Sequence, residues 1–191
     1  MIVLDDFEGT HALKVKWSSD TEAEVGNTLD PNDLQHAPAI KLSWAQEDAA
    51  CEPNSRPIQY TIAATDPDAP SRNDPKWSEI CHWIATGIAI PDVDKSSCGR
   101  LSFKILKDVI PYKPPGPPEK TGKHRYVFVA YAPANGTTER LHLSKPRDRQ
   151  HWGYEKKDHG VRDWARENGL EPVGESSPAD RAVVTSPLTG M

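Results

Sequence analysis

The side chains able to do chemistry gather in three stretches: DPDAPSR at residues 66–72, CHWIATGI at 81–88, and GPPEKTGKHRYVFVAY at 116–131. On residue types alone, the first is a turn. Asp66-Pro67 and Ala69-Pro70 fix two φ angles, and the aspartates are freed from ladder pairing to cap backbone N–H groups. A histidine by itself fits a buried neutral ring bonded to backbone as well as it fits a proton-transfer or ligand-binding group. Cys81 beside His82 offers a thiol and a base, but neighbours on a strand point to opposite faces, which leaves the pair structural. Asp66, His82 and His124 make on paper a two-histidine, one-carboxylate set, yet their spacing enforces no metal geometry and no metal is assigned. The chain has no GxSxG, Walker loop, HExxH or GxGxxG, so the common hydrolase, nucleotide-binding and metalloprotease mechanisms lack their parts.

The elements that must position these groups read as strands. Eighteen prolines against twelve glycines punctuate short apolar runs too often for a helical bundle and suit an all-β domain with long loops. ALKVKW at 12–17 and PAIKLSW at 38–44 alternate as half-buried strands do, and QYTIAATDPD from residue 59 is a more deeply buried one. ICHWIATGIAI at 80–90 is nearly continuous in apolar character, which predicts a central strand covered on both faces. HRYVFVAYAP puts His124, Tyr126, Phe128 and Ala130 on one face and Arg125, Val127, Val129 and Tyr131 on the other. Between these two strands, VIPYKPPGPPEKTG from residue 109 cannot make ladder hydrogen bonds and is expected to be a surface loop. One helix is predicted over residues 158–168, with Asp158 as N-cap, Gly169 as the stop, and Val161, Trp164 and Ala165 on its buried face. Residues 1–175 are expected to form one domain, and residues 176–191, small and polar, a flexible tail.

A chain of 191 residues buries roughly 70% of the surface its unfolded form exposes, so neither disulfide nor structural metal is required. A net charge of -5 with scattered Lys and Arg argues against nucleic acid or an anionic membrane surface as the main partner. Cys51, Cys81 and Cys98 match no disulfide or zinc spacing and read as free thiols of a reducing compartment, so a cytoplasmic location is expected. Asp5 and Asp6 interrupt the N-terminus before any apolar run, and no stretch of about 18 apolar residues exists. Neither a signal peptide nor a membrane span is expected.

The three stretches, in this order, resemble the phosphatidylethanolamine-binding proteins, also called Raf-kinase-inhibitor-like proteins, whose signature is a DPDxPS loop, an HW or HF strand and a GxHRY strand. The resemblance covers roughly residues 12–173, and the VGNTL, HWGY and GLEPVG segments look most like fungal members related to carboxypeptidase Y inhibitor. It implies an antiparallel Greek-key β-sandwich with a few peripheral helices. It also implies a small polar pocket lined by Asp66, His82, His124 and Tyr126, shaped by Pro70 after a cis bond. Trp77 and Pro117 are expected at the pocket rim. Asp66 is expected to favour the charged form of both imidazoles, and a charged imidazole with a phenol O–H would donate to phosphate oxygens. Two departures stand out. The extra N-terminal helical segment of inhibitor-type relatives has no counterpart before VLDDFEG, which argues against carboxypeptidase inhibition, and beyond GLEPVG the chain departs from its relatives' aromatic strand.

The expected function is therefore a module that binds a phosphate-type anion or phospholipid head group and regulates a partner such as a kinase or serine carboxypeptidase, without turnover and without a cofactor. Two alternatives stay open. The same groups suit acid-base chemistry on a small anionic metabolite in fungal secondary metabolism, or the pocket is vestigial on a protein-interaction scaffold. His142, His151 and His159 lie outside the three motifs and receive no functional assignment.

Overall fold

The computed structural model describes residue 3 and residues 9–24, 27–44, 58–91, 100–137, 141–156, 159–175 and 182–185. Among the described residues ten strands and one α-helix follow in order: β1 (His11–Lys16), β2 (Thr28–Leu29), β3 (Ala39–Trp44), β4 (Gln59–Asp66), β5 (Ile80–Pro91), β6 (Arg100–Phe103), β7 (Lys107–Ile110), β8 (Lys123–Pro133), α1 (Val161–Glu167), β9 (Leu170–Glu175) and β10 (Ala182–Thr185). Strand neighbours run β1-β3-β6-β5-β4-β8-β10-β2, with β7 on β5 and β9 on β8. Every pairing is antiparallel except β10 with β2. The mainly β, antiparallel class read from the sequence is the one observed.

Alternation along β8 separates two cores. Tyr126, Phe128 and Ala130 join Leu13, Val15, Ile40, Leu42, Ile62 and Trp83 on one side. Val127, Val129 and Tyr131 join Ala63, Cys81, Ile84, Trp152, Val161 and Trp164 on the other. The register of β1 against β3 places Leu13 opposite Leu42 and Val15 opposite Ile40, so the two alternating strands bury the same face. Each such side chain, fully buried, stabilises the fold by roughly 1.5–3 kcal/mol relative to exposure. With both faces of β4, β5 and β8 covered, the strand ends are rigid supports. β5 is central, between β4 on one side and β6 and β7 on the other, as its apolar run predicted. Its far end departs from full burial, since Ile88 is 50% exposed.

The helix begins later than expected. Gly160 is the N-cap and makes no side-chain cap bond, while Asp158 lies outside the described residues. Val161, Trp164 and Ala165 are buried as the i, i+3, i+4 spacing required, and Gly169, at φ +63°, ends the helix in the left-handed region. Trp164 donates to the Ser144 carbonyl at 3.0 Å and packs against Trp152 with ring centroids 5.5 Å apart, which docks α1 on the second core. The proline-rich loop starts at Pro111, because Val109 and Ile110 still belong to β7. Within the segment expected to be a flexible tail, Ala182–Thr185 forms β10 and pairs with Lys123, His124, Arg125 and Tyr126 of β8. Its AVVT sequence has the β-branched character that strands favour.

Cys81 is buried and free, and burial pushes its thiol up to about 12. Cys51 and Cys98 lie outside the described residues. Native protein at pH 8 should therefore alkylate at Cys81 roughly 1000-fold more slowly than unfolded protein, because the thiolate is the nucleophile and its fraction falls by that factor. Peptide mapping after iodoacetamide pulses checks this; equal rates would show the strand opening freely. Among the described residues no helix is long and apolar enough to cross a membrane.

Candidate functional site

β4 runs out of the sheet at Asp66 and straight into the DPDAPSR turn. Asp66 Oδ1 accepts the Asp68 N–H at 2.7 Å, the backbone capping its sequence suggested, and Oδ2 faces His124 Nδ1 at 2.9 Å. Both side chains are buried, His124 to 1% exposure. The Ala69-Pro70 bond is cis, the isomer the resemblance implied.

The turn is fixed to β8 by a second pair. Arg125 donates through its backbone N–H and Nε to Asp68 Oδ2 at 2.9 and 2.8 Å, and through Nη2 to Oδ1 at 2.6 Å. Burial alone would raise the Asp68 pKa, but hydrogen bonds and charge from Arg125 outweigh it and hold the carboxyl below its ordinary value. Asp68 therefore stays ionised, and its fork on Arg125 holds the turn where Asp66 meets His124.

His124 and Tyr126 share one face of β8, as period 2 requires. Thr121 has a single hydroxyl proton and two neighbours, the Pro118 carbonyl at 2.6 Å and His124 Nε2 at 3.0 Å. With the shorter contact as the donated one, Thr121 Oγ1 is left to accept from His124 Nε2. Tyr126 meets His82 edge-on with ring centroids 4.9 Å apart. Burial, then the nearby Asp66 charge, pushes the Tyr126 phenol up, against a backbone hydrogen bond from Gly116, so its O–H stays on.

His82 corrects an expectation. Its Nδ1 lies 2.8 Å from the Lys113 carbonyl and donates to it, which leaves Nε2 an acceptor. Burial lowers its pKa to about 4, outweighing the Lys113 hydrogen bond and the Asp66 charge, with Lys113 and Arg149 adding to the decrease. The carboxylate does not make this imidazole cationic at neutral pH, because desolvation is the larger effect. The proline-rich loop is locked onto the same residue. Lys113 N–H returns a bond to the His82 carbonyl at 2.8 Å, and Arg149 reaches the Cys81, His82 and Pro111 carbonyls at 3.0, 3.1 and 2.8 Å.

Asp66, His82, His124 and Tyr126 are thus brought together by β4, β5 and β8. Pro117 is buried in the loop beside Gly116. Trp77 is 40% exposed, donates its backbone N–H to the Ala69 carbonyl, and has Lys76 Nζ 5.8 Å from its ring centroid. Among the described residues no group of three His, Cys, Asp or Glu side chains is arranged to hold a metal. A cleft of about 210 Å³ lies elsewhere, lined by Pro133, Asn135, Leu141, His142 and Glu167 among others. It is at the opposite end of β8 from His124 and contains none of the four residues.

Sequence reasoning missed three supports: the Asp68–Arg125 fork, the Arg149 carbonyl clamp, and buried Glu79, which contacts Thr65 and the start of α1. Asp68 and Arg125 stood in the motifs themselves. Nothing in spacing pointed to Arg149 or Glu79.

A family model for phosphatidylethanolamine-binding proteins matches residues 19–174. Carboxypeptidase Y inhibitor of Saccharomyces cerevisiae is 32% identical, over 87% of this chain and 82% of its own length. A crystal structure of carboxypeptidase Y inhibitor complexed with the cognate proteinase superposes with a TM-score of 0.80 at 30% identity, covering 95% of this chain and 86% of that one. A phosphatidylethanolamine-binding protein from Plasmodium vivax, at 19% identity and a TM-score of 0.63 over 94% of this chain and 87% of that one, shares the fold.

Proposed function

Because the chain belongs to the phosphatidylethanolamine-binding protein family, we propose that it binds a phosphate-type anion or phospholipid head group at Asp66, His82, His124 and Tyr126, and works by binding rather than turnover. The observation that carries this reading is the meeting of a buried Asp66–His124 pair with a neutral His82 and a protonated Tyr126 under one proline-rich loop. Tyr126 O–H is a donor for a phosphate oxygen. The free Nε2 of His82 is an acceptor, and a phosphate that still carries a proton, or an ethanolamine ammonium, supplies the matching donor. Lys113 and Arg149 add positive potential around His82.

The chemistry sets the pH dependence. A phosphate group loses its second proton at about pH 6–7 and with it the donor for His82, so inorganic phosphate should bind more tightly at pH 6 than at pH 8, whereas phosphorylethanolamine, whose ammonium remains a donor at both, should change less. Calorimetric titration of wild type and His124→Ala reads this directly. Loss of the hydrogen-bonding partner that holds the Asp66 carboxyl at the site predicts affinity weaker by roughly tenfold or more in the variant. No heat with folded wild type, or unchanged affinity in His124→Ala, would sink the reading.

The relative crystallised with its proteinase favours a second reading, a carboxypeptidase as protein partner. Inhibition of carboxypeptidase Y by the purified chain, measured with a chromogenic peptide substrate, supports it; full protease activity at saturating protein removes it.

A further inference from the structure

Glu79 is 2% exposed at the head of β5, and the candidate site makes no use of it. Its Oε2 accepts from Thr65 Oγ1 on β4 at 3.0 Å and from the Val161 N–H that opens α1 at 3.3 Å. Thr65 Oγ1 also accepts Trp152 Nε1–H at 3.0 Å and lies 3.1 Å from the Ile80 carbonyl. Gly160 is seated so closely that an added Cβ would stand 2.6 and 2.7 Å from the two carboxyl oxygens. One carboxyl thus joins the strands leading to Asp66 and His82, the 3-10 turn His151–Gly153, and the helix.

The network closes in either protonation state. When Glu79 is ionised, Thr65 O–H donates to Oε2. When Glu79 is protonated, its own O–H donates to Thr65 Oγ1, and the Thr65 hydroxyl turns to the Ile80 carbonyl. Ionisation leaves a buried negative charge that the surrounding groups offset only in part. On α1, Arg162 and Asp163 act in opposite senses, and Asp163 is held by His159 at 3.0 Å. On β5 the neighbour is the Cys81 thiol; on the adjoining loop and turn, Arg149 is bonded to carbonyls and His151 Nδ1 lies 2.6 Å from the Ser78 carbonyl. On β4, Asp66 is paired with His124. Burial accordingly raises Glu79 to about 7, against the Val161 and Thr65 hydrogen bonds.

We propose that Glu79 is a proton-operated latch that docks α1 and the Trp152 turn onto the strands carrying Asp66 and His82, tight when its carboxyl is protonated and weakened when it ionises. The proposal does not depend on what the candidate site binds. Once undocked, the carboxyl returns to its ordinary value of 4.5. Linkage then makes helix opening about tenfold more frequent per pH unit from about pH 5 to about pH 7, with a plateau above.

Hydrogen-exchange protection of the α1 amides, corrected for intrinsic rates, should show that slope in wild type and lose it in Glu79→Gln, which keeps an acceptor for Val161 and Thr65. Carbon-13 titration of the Glu79 carboxyl in wild type, which needs no variant, should give a midpoint near 7. A midpoint in the ordinary carboxylate range, pH-independent α1 protection in wild type, or the same slope in a folded Glu79→Gln would each overturn the latch.

Discussion

Asp68→Ala should lower stability at pH 7 by about 3–5 kcal/mol, the loss typical when one partner of a buried ion pair is removed. Asp68 has 2% of its side chain exposed and accepts all three Arg125 donors, so its deletion leaves a largely buried guanidinium with the neighbouring Asp66 charge but no fork. For a chain of this length that is a fall of roughly 10 °C in melting temperature. Arg125→Ala should cost a similar amount, and the double variant less than the sum, because each single change strands the other charge. The contribution has a defined pH window: Asp68's folded pKa is depressed, so its stabilisation is complete above the ordinary 3.8 and is lost as pH falls through the folded value. Urea unfolding of the four proteins measures the cycle. A loss below about 1 kcal/mol for Asp68→Ala would show that the turn is held by packing alone. The variant should also weaken phosphate binding, because the Asp68 N–H caps Asp66 and the fork sets the turn against His124.

The parts legible in the sequence were those governed by local periodicity. β8 shows its two faces because six consecutive residues, from Tyr126 to Tyr131, feed two separate cores, and a period of 2 records both. The grouping of Asp66, His82, His124 and Tyr126 was legible only through three ordered motifs, since 58 residues separate Asp66 from His124. Alternation could assign Arg125 to the face opposite His124, but it could not say that a turn 57 residues earlier would supply its counter-ion. The neutral state of His82 was hidden for another reason: a neighbouring carboxylate is visible in a motif, whereas the burial that overrides it is a property of the assembled fold. β10 was hidden by the small polar residues flanking a four-residue strand, and α1 starts only at Val161 because Gly160 has an extended, non-helical backbone, which no spacing rule reveals.

Two buried groups with opposite linkage should give the wild type a shallow stability profile between pH 4.5 and 6.5, and single substitutions should uncover the slopes. His82 falls from 6.5 to about 4 on folding, so across that interval the unfolded chain holds a proton the native protein lacks. Stability therefore rises with pH, by about 3 kcal/mol for the full shift. Glu79 rises from 4.5 to about 7, so between those values the native protein holds the extra proton and stability falls by about 3 kcal/mol as pH increases. His11, also lowered by burial, adds to the His82 sense. Glu79→Gln should accordingly gain stability steadily from pH 4.5 to 6.5. His82→Asn, which retains a donor for the Lys113 carbonyl, should lose stability steadily up to pH 7. Denaturant midpoints measured across this range decide the matter: if all three profiles run parallel, the two side chains do not titrate differently in the folded and unfolded chain, and neither the neutral imidazole nor the latch stands. If they diverge in the stated directions, the compensation itself explains how the fold carries two buried titratable groups, one beside the candidate site and one beneath its supporting helix, without a marked pH optimum between them.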